Sequence, residues 1–205
     1  MHFTRQDIDK LDHIYKINFV NSLSGYKSAN LIATRSFEGI SNVAVFSSVV
    51  HYGSAPPILG LVLRPTTVPR NTYKNIKDTG VYTINHIAQN MVEDAHHTSA
   101  KYPLNVSEFS KTKLEEEFRN NIFSPFVKQA PVKIAMKFLE EYFIKANDTI
   151  LVLGEITDVF VNDDMLAEDG FLDLTKSQIA SIIGLDGYAI SGSNTRLGYQ
   201  RPILK

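Results

Sequence analysis

The sequence contains no cysteine at any of its 205 positions. The chain therefore has no disulfide bond, no thiolate ligand for zinc or an iron–sulfur cluster, and no cysteine nucleophile. A reducing cytoplasm is compatible with this absence.

An excess of positive charge is also lacking, since 21 Lys and Arg residues face 22 Asp and Glu residues and the formal net charge is −1. This balance disfavours binding to the phosphate backbone of nucleic acids. A content of 43% hydrophobic and 21% charged residues is typical of a chain that folds around a core rather than of a disordered one. At this length we expect one domain, residues 1–205.

Long apolar runs are missing as well. Residues 58–63 and 150–153 form the apolar runs, and both are far shorter than the ~20 residues that cross a bilayer. Residues 1–12 carry several charges in place of the apolar centre of a secretory signal. We therefore expect a soluble, cytoplasmic protein that does not bind a membrane.

The apolar patterning predicts a mainly β chain of the α+β class. Turn residues separate the runs, and one helix is framed by Pro69 at its start and Gly80 at its end. Met91 and Ala95 are expected on the buried side of a second helix. In chain order the predicted elements are strands 30–36, 42–50 and 58–63 with a break at 52–57, helix 69–80, strand 81–84, helix 88–95, loop 101–126, strands 132–143 and 149–161, and helix 177–183. Strands interrupted by short helices favour an antiparallel barrel over a parallel sheet.

The predicted helix start at Arg70-Asn71-Thr72 is the most informative position for ligand binding. Unpaired N–H groups and the positive end of the helix dipole favour an anion there, such as a phosphate. The alternative is a helix capped by Asn71 or Thr72, with Arg70 in solvent. The sequence leaves both interpretations open.

Two hydroxyls, Ser47 and Ser48, end the second predicted strand. Such a pair can donate hydrogen bonds to a phosphate or to a polar ring edge, although strand ends also contain serine for structural reasons. Arg64 ends the third strand and would face the same rim if the three strands were neighbours. Its guanidinium could pair with an anionic ligand or with an acidic side chain.

The second predicted helix closes on His96-His97-Thr98-Ser99. Adjacent histidines do not face one metal ion as an i, i+4 pair does, so we expect no metal site. Thr98 and Ser99 are candidate ligand contacts. The sequence contains no G-x-S-x-G elbow that would indicate a serine hydrolase.

A series of short motifs lies in order between residues 30 and 109, followed by one motif near the end of the chain. They are Asn30-Leu31-Ile32-Ala33-Thr34, Gly39, residues 42–48, Pro56-Pro57, Leu63-Arg64-Pro65, Arg70-Asn71-Thr72, Asn75-Ile76, residues 79–85, Thr98-Ser99, Tyr102-Pro103, Glu108-Phe109 and Arg196-Leu197-Gly198-Tyr199. Together they resemble the FMN-binding split-barrel proteins of the flavin reductase-like family. The second half of the chain shares only strand-like character and the last motif with that family.

The resemblance implies a six-stranded Greek-key barrel with short helices, a homodimer, and FMN held without a covalent bond near the subunit interface. It implies contacts with the phosphate and ribityl chain from Ser47, Ser48, Arg70, Asn71 and Thr72. The flavin would lie along Thr98, Ser99 and Ala100, with the backbone of Val49 and the side chain of Arg64 nearby. Positive charge beside the flavin N1–O2 edge could come from Arg64, Arg196 or His97.

Hydride transfer between a nicotinamide and flavin N5 is carried by the two cofactors, so no catalytic triad is needed. The resemblance therefore implies an FMN-dependent oxidoreductase that takes electrons from NADH or NADPH and reduces free flavin or a small organic substrate. Two alternatives stay open. One is an FMN-binding module without turnover, a flavin store or sensor, and the other is an enzyme similar to the pyridoxamine-phosphate oxidases.

Overall fold

A large antiparallel sheet dominates the computed structural model, which describes residues 1–65, 67 and 70–202. The helices are α1 (Arg5–Lys10), α2 (His13–Ser22), α3 (Asn71–Thr79) and α4 (Val92–His97). The strands are β1 (Lys27–Ser28), β2 (Asn30–Arg35), β3 (Ser41–Phe46), β4 (Val50–Ser54), β5 (Pro57–Leu63), β6 (Val81–His86), β7 (Glu116–Glu117), β8 (Phe126–Val127), β9 (Val132–Ile144), β10 (Thr149–Val161), β11 (Ala180–Ile183) and β12 (Gly187–Ile190). Short 3-10 turns cover Gln89–Met91, Glu108–Lys111, Asp163–Met165 and Leu174–Ser177.

Seven strands form the main sheet, in the spatial order β3-β2-β6-β9-β10-β5-β4. Its two edge strands, β3 and β4, are consecutive in the chain, and residues 47–49 alone join them. A link of this length spans at most about 14 Å. The two edges therefore lie close together, and the sheet curls into a barrel that is split between β3 and β4.

Apolar side chains fill both sides of this curled sheet. Along β2, Ile32 belongs to the interior cluster, whereas Leu31 and Ala33 belong to a second cluster outside the barrel wall, as the alternation of a strand requires. The interior cluster includes Leu61, Leu63, Ile76, Tyr82, Ile84, Met136 and Val152, and the outer one includes Val43, Ile87, Met91, Ala95, Phe109, Val127 and Ile182. Each fully buried aliphatic side chain stabilises the fold by roughly 1.5–3 kcal/mol.

Several predicted elements are confirmed. The hairpin of β2 and β3 is present, although β3 ends at Phe46 and not at residue 50, and strands β5 and β6 and the long β9–β10 pair agree closely with their predicted ranges. Helix α3 ends at Gly80, whose φ of +71° is a left-handed conformation that favours glycine. Met91 and Ala95 are buried as expected, whereas the predicted helix start at Pro69 lies outside the described residues.

Other predictions are wrong. Ala180–Ile183 forms strand β11 between β1 and β12, and a helix over 177–183 does not form because Gln178 adopts a left-handed backbone (φ +48°). Residues 52–54 of the expected break belong to strand β4, which pairs with β5 at one edge of the main sheet. The third predicted strand is not a neighbour of the first two, since β5 lies at the opposite end of the sheet order from β2 and β3.

The N-terminal segment is helical, which the charged residues at positions 1–12 do not predict. Thr4 caps α1 through a reciprocal capping box with Asp7, and the carboxylate of Asp12 accepts hydrogen bonds from the first N–H groups of α2. Neither helix has a buried residue. Among the described residues, no helix combines the length and the hydropathy needed to cross a membrane.

His86, the last residue of β6, turns its imidazole toward the barrel interior. The register pairs it with Asn30 of β2, which in turn pairs with Phe46 of β3, and directly opposite side chains share a face. Ile84, two residues earlier on the same face, is part of the interior cluster. The Nδ1 atom is buried and has no hydrogen-bond partner among the described residues. Burial lowers the pKa of His86 to about 4.

We expect His86 to make the folded protein sensitive to mild acid. The folded-state pKa of His86 lies below the ordinary value of 6.5. Its contribution to the free energy of unfolding is therefore fully present above pH 6.5 and is lost as the pH falls from 6.5 toward 4. The full difference corresponds to about 3 kcal/mol of unfolding free energy. His86→Leu should flatten this part of the pH profile in urea denaturation, whereas His51→Leu, at an exposed histidine, should not. Parallel profiles for His86→Leu and wild type would contradict the assignment.

Candidate functional site

Residues 47–49, which join β3 to β4, are fixed to the backbone at two points. The hydroxyl of Ser48 donates to the carbonyl of Val62 at 2.9 Å and accepts from the N–H of the same residue at 3.1 Å. The carbonyl of Val49 accepts from the hydroxyl of Ser28 at 3.1 Å. Ser47 is half-buried, and its hydroxyl makes no hydrogen bond to the residues that the structure describes. Ser48 therefore holds the segment in place, and Ser47 has a hydroxyl to offer a ligand.

The N-terminus of α3 has the features of an anion site. Its N-cap residue, Arg70, has an extended backbone and makes no side-chain cap hydrogen bond, and no acidic residue occurs in the first turn. Among the residues that the structure describes, the first N–H groups of the helix therefore have no intrahelical or side-chain acceptor, and they carry the positive end of the dipole. The Nε of Arg70 donates to the carbonyl of Pro65 at 3.4 Å, which keeps the guanidinium beside this turn.

A buried polar network attaches α3 to β2 and β3. The Oδ1 of Asn42 accepts from the hydroxyl of Thr72 at 2.9 Å, and the Nδ2 of Asn75 donates to the hydroxyl of Thr34 at 3.1 Å. The Nδ2 of Asn42 donates to Glu108 at 2.6 Å. Because all five side chains are buried, each needs such a partner. The hydroxyl proton of Thr72 is thus already donated within the protein.

The end of α4 has the opposite polarity to the start of α3. The N–H groups of Ser99 and Ala100 donate to the carbonyls of His96 and His97 at 3.0 Å each, and the buried hydroxyl of Thr98 donates to Ala95 at 2.7 Å. A helix C-terminus carries partial negative charge. This turn therefore disfavours a phosphate, and the exposed side chain of Ser99 is its available polar contact.

The three candidate electrostatic residues have different surroundings. Arg64 is exposed directly after β5. The guanidinium of Arg196 makes two hydrogen bonds to the carboxylate of Asp169, at 3.2 and 2.5 Å, and lies 4.2 Å from the ring centroid of Phe171. His97 is exposed, and its Nε2 is 2.7 Å from the hydroxyl of Tyr102. The positive charge of Arg196 is therefore balanced by its own partner, and Arg64 has none among the described residues.

Contacts tie Ser48, Arg70 and Thr72 to β3 or to the end of β5, and we call these three residues, together with Ser47 and Arg64, the rim. At one end, Ser48 contacts Val62, two residues before Arg64. At the other end, Thr72 contacts Asn42, and Arg70 donates to the carbonyl of Pro65, which directly follows Arg64. From residue 42 to residue 47 the strand spans about 16 Å, and α4 also packs against β3. Arg196 lies outside this rim, in the segment after β12, where its guanidinium contacts Asp169. Whether these residues bind a ligand stays a prediction.

Two residues that shape this rim were not singled out for a role in the sequence. Asn42 follows Ser41 at the start of β3, directly before an apolar run, and a polar residue next to such a run is a signal for a buried hydrogen-bond network. Glu108 carries no comparable local signal, because its burial results from the loop that folds back onto β3. No group of three or more His, Asp or Glu side chains suited to a metal ion occurs in the part of the chain that the structure describes.

Ser47 and Ser48 provide a matched test of this geometry. Ser48→Ala removes two hydrogen bonds to the backbone of Val62, so we expect the free energy of unfolding to fall by about 1–2 kcal/mol. Ser47→Ala removes no hydrogen bond within the described structure and should be nearly neutral. Urea denaturation of the two variants and the wild type measures the difference, and equal stability of the two variants would disprove the structural role of Ser48.

Known proteins with the same fold share this arrangement of strands. A crystal structure from Shewanella frigidimarina NCIMB 400 is described provisionally as a flavin reductase with a split barrel domain. Its sequence is 43% identical to this chain, and the two superpose with a TM-score of 0.94 over 98% of this chain and 100% of that one. Nitrilotriacetate monooxygenase component B from Bacillus cereus is 17% identical with a TM-score of 0.83, covering 96% and 98%. An FMN-binding protein from Thermus thermophilus is 14% identical with a TM-score of 0.71, covering 84% and 90%. The last two similarities concern the fold alone.

The sequence itself gives the family. The profile of the flavin reductase like domain matches residues 24–178, which contain the whole main sheet, α3, α4 and every candidate residue except Arg196. The segment before residue 24, with α1 and α2, lies outside the match. The mainly β split-barrel fold is confirmed, and the chain belongs to the flavin reductase-like domain family.

Proposed function

We propose that the protein is an FMN-dependent oxidoreductase that uses NADH or NADPH as electron donor and acts on free flavin or a small organic substrate. The observation that carries this proposal is the uncapped start of α3 beside Arg70, on the rim of β3, in a chain of the flavin reductase-like family. An unsatisfied helix N-terminus next to a guanidinium suits a phosphate monoester. We propose the cytoplasm, with its nicotinamide pool, as the place of action.

The residues of the rim favour one orientation of FMN, with its phosphate at α3. The first turn of α3 and Arg70 would hold the phosphate, and the half-buried hydroxyl of Ser47 is a further donor along β3. The partial negative charge at the end of α4 disfavours the phosphate, so the ring system would lie toward Thr98, Ser99 and Ala100. The opposite polarities of the two helix ends thus favour a single orientation of the cofactor.

When bound, FMN supplies the hydride chemistry through its N5 atom, and the protein supplies binding and electrostatics. The exposed guanidinium of Arg64 is the residue that we propose to stabilise negative charge at the N1–O2 edge, because its charge is not balanced by a described carboxylate. Arg196 is a weaker candidate since Asp169 already neutralises it. No side chain has to act as a nucleophile in this scheme.

The experiment that tests the proposed function is a visible absorbance spectrum after FMN has been added and the excess removed by gel filtration. A retained flavin spectrum that bleaches on anaerobic titration with NADH or NADPH supports a reductase. A retained flavin that neither donor bleaches supports the FMN-binding module, and oxidation of pyridoxamine phosphate supports the enzyme similar to pyridoxamine-phosphate oxidases. No retained or reducible flavin at all would reject the proposal.

Arg70 should matter for FMN and much less for riboflavin, which lacks the phosphate. We expect Arg70→Ala to weaken FMN binding by about 1–3 kcal/mol through the loss of a charge-assisted hydrogen bond, and to change riboflavin affinity little. Arg196→Ala is the matched control, since that guanidinium pairs with Asp169. Fluorescence titration with each flavin measures the affinities, and unchanged FMN affinity in Arg70→Ala would remove this residue from the site.

We also propose that the protein is a homodimer, because two projecting elements expose more apolar surface than isolated side chains would. One is the N-terminal arm, defined as residues 3–26, and the other is the hairpin end, defined as residues 139–144. Their exposed side chains are Ile14, Tyr15, Val20, Leu23 and Tyr26 on the arm and Leu139, Tyr142, Phe143 and Ile144 on the hairpin end. Exposed apolar side chains that are concentrated on one element in this way are typical of a protein–protein contact. A twofold arrangement would cover the same surfaces on both copies at once.

Substituting a charge into the hairpin end should separate the two copies. We expect Tyr142→Lys to shift the protein toward a monomer, because a buried, unpaired ammonium in an interface is unfavourable. Phe37→Lys is the matched control at an exposed aromatic residue on the β2–β3 turn. Sedimentation velocity measures the mass of each variant. A wild type that sediments as a monomer at all accessible concentrations would reject the homodimer.

A further inference from the structure

We infer that Glu108 is a positioning residue, which acts through Asn42 to orient the first turn of α3 for the phosphate of its ligand. This inference rests on the proposed function for the identity of the ligand. Its basis is the continuous series of buried contacts that leads from the Glu108 carboxylate to the hydroxyl of Thr72.

The carboxylate of Glu108 fixes the side-chain amide of Asn42 in one orientation. An ionised carboxylate only accepts hydrogen bonds, so it must face the NH₂ group of Asn42, at 2.6 Å. The same oxygen accepts from the backbone N–H of Val43 at 3.2 Å. The amide oxygen of Asn42 is consequently turned away from Glu108, toward α3.

The oriented amide oxygen then holds the helix. It accepts the hydroxyl of Thr72 at 2.9 Å, in the first turn of α3, and the hydroxyl of Thr34 lies 3.5 Å from it. Thr34 in turn accepts from Asn75, one turn further along the helix. Two successive turns of α3 are therefore attached to the end of β2 and the start of β3 through one amide.

Glu108 itself does not belong to the rim. The residue is buried, with 6% of its surface exposed, and both of its recorded donors are protein groups. Burial raises the pKa of Glu108, and the hydrogen bonds from Val43 and Asn42 oppose that rise. A buried carboxylate is unfavourable unless it is well hydrogen-bonded, so the bonds from Asn42 and Val43 are what make its burial possible.

Three variants separate orientation from general stability. Glu108→Ala leaves the Asn42 amide and the Val43 N–H without an acceptor and lets the amide turn. Glu108→Gln keeps an acceptor oxygen at the same place and should behave like the wild type. Ser124→Ala is the matched control, because Ser124 is also buried and donates to the carbonyl of Val81, which follows the C-terminal end of α3 and lies at the opposite end of the helix from Thr72.

The first readout does not require a flavin. We expect hydrogen exchange of the amides of Lys74, Asn75 and Ile76, which follow the unbonded first N–H groups of α3, to accelerate about tenfold in Glu108→Ala, and to stay at the wild-type rate in Glu108→Gln and Ser124→Ala. Unchanged exchange in Glu108→Ala would overturn the inference, whether or not the protein binds FMN. If the wild type bound no flavin, the proposed function would fail, and this measurement alone would decide the positioning of α3.

The second readout is the affinity for FMN relative to riboflavin. Glu108→Ala should weaken FMN about tenfold and riboflavin much less, because the displaced helix turn contacts the phosphate. Thr72→Val should cause a similar loss, and the double variant should lose no more than either single variant, since both interrupt one series of contacts. Equal losses for the two flavins, or additive losses in the double variant, would overturn the inference.

Discussion

The requirement that a buried carboxylate be hydrogen-bonded governs the arrangement around β3. Glu108 reaches this strand only because the loop after α4 folds back onto it, and there it accepts from a backbone N–H and a side-chain amide. The amide then fixes a helix whose own N-terminus is uncapped. A single acceptor in the interior thus determines where a helix end points at the surface, and the candidate anion site depends on that direction.

The sequence predicts the parts of the fold that local chemistry determines. Gly80 ends α3 because only a residue without a side chain adopts its left-handed backbone at little cost, and the β9–β10 pair follows from two long β-branched runs with a turn between them. The sequence does not predict strand β4, because His51-Tyr52-Gly53 in its middle has the composition of a turn. This segment becomes a strand by pairing with β5. Strand β11 likewise depends on its partners, β1 and β12.

The candidate site was predictable by residue type but not by role. Ser48 and Thr72 were chosen for hydroxyls that could contact a phosphate, yet the structure shows both hydroxyls donating within the protein, to Val62 and Asn42. Arg196 was chosen for its charge, which Asp169 balances. A sequence shows which side chains can donate a hydrogen bond, whereas the acceptor that receives it comes from elements that are distant in the chain. Glu108, 66 residues from Asn42, is an example of such a distance.

The double attachment of residues 47–49 has a consequence for the time a molecule spends in the rim. Ser48 and Val49 are bonded to two different strands, so this link cannot swing aside as a lid without breaking the hydrogen bonds of two serine hydroxyls. A ligand of the proposed site would therefore enter and leave past a rigid wall. Its residence time would be controlled by the strength of its own contacts and not by a gating motion of the strand link.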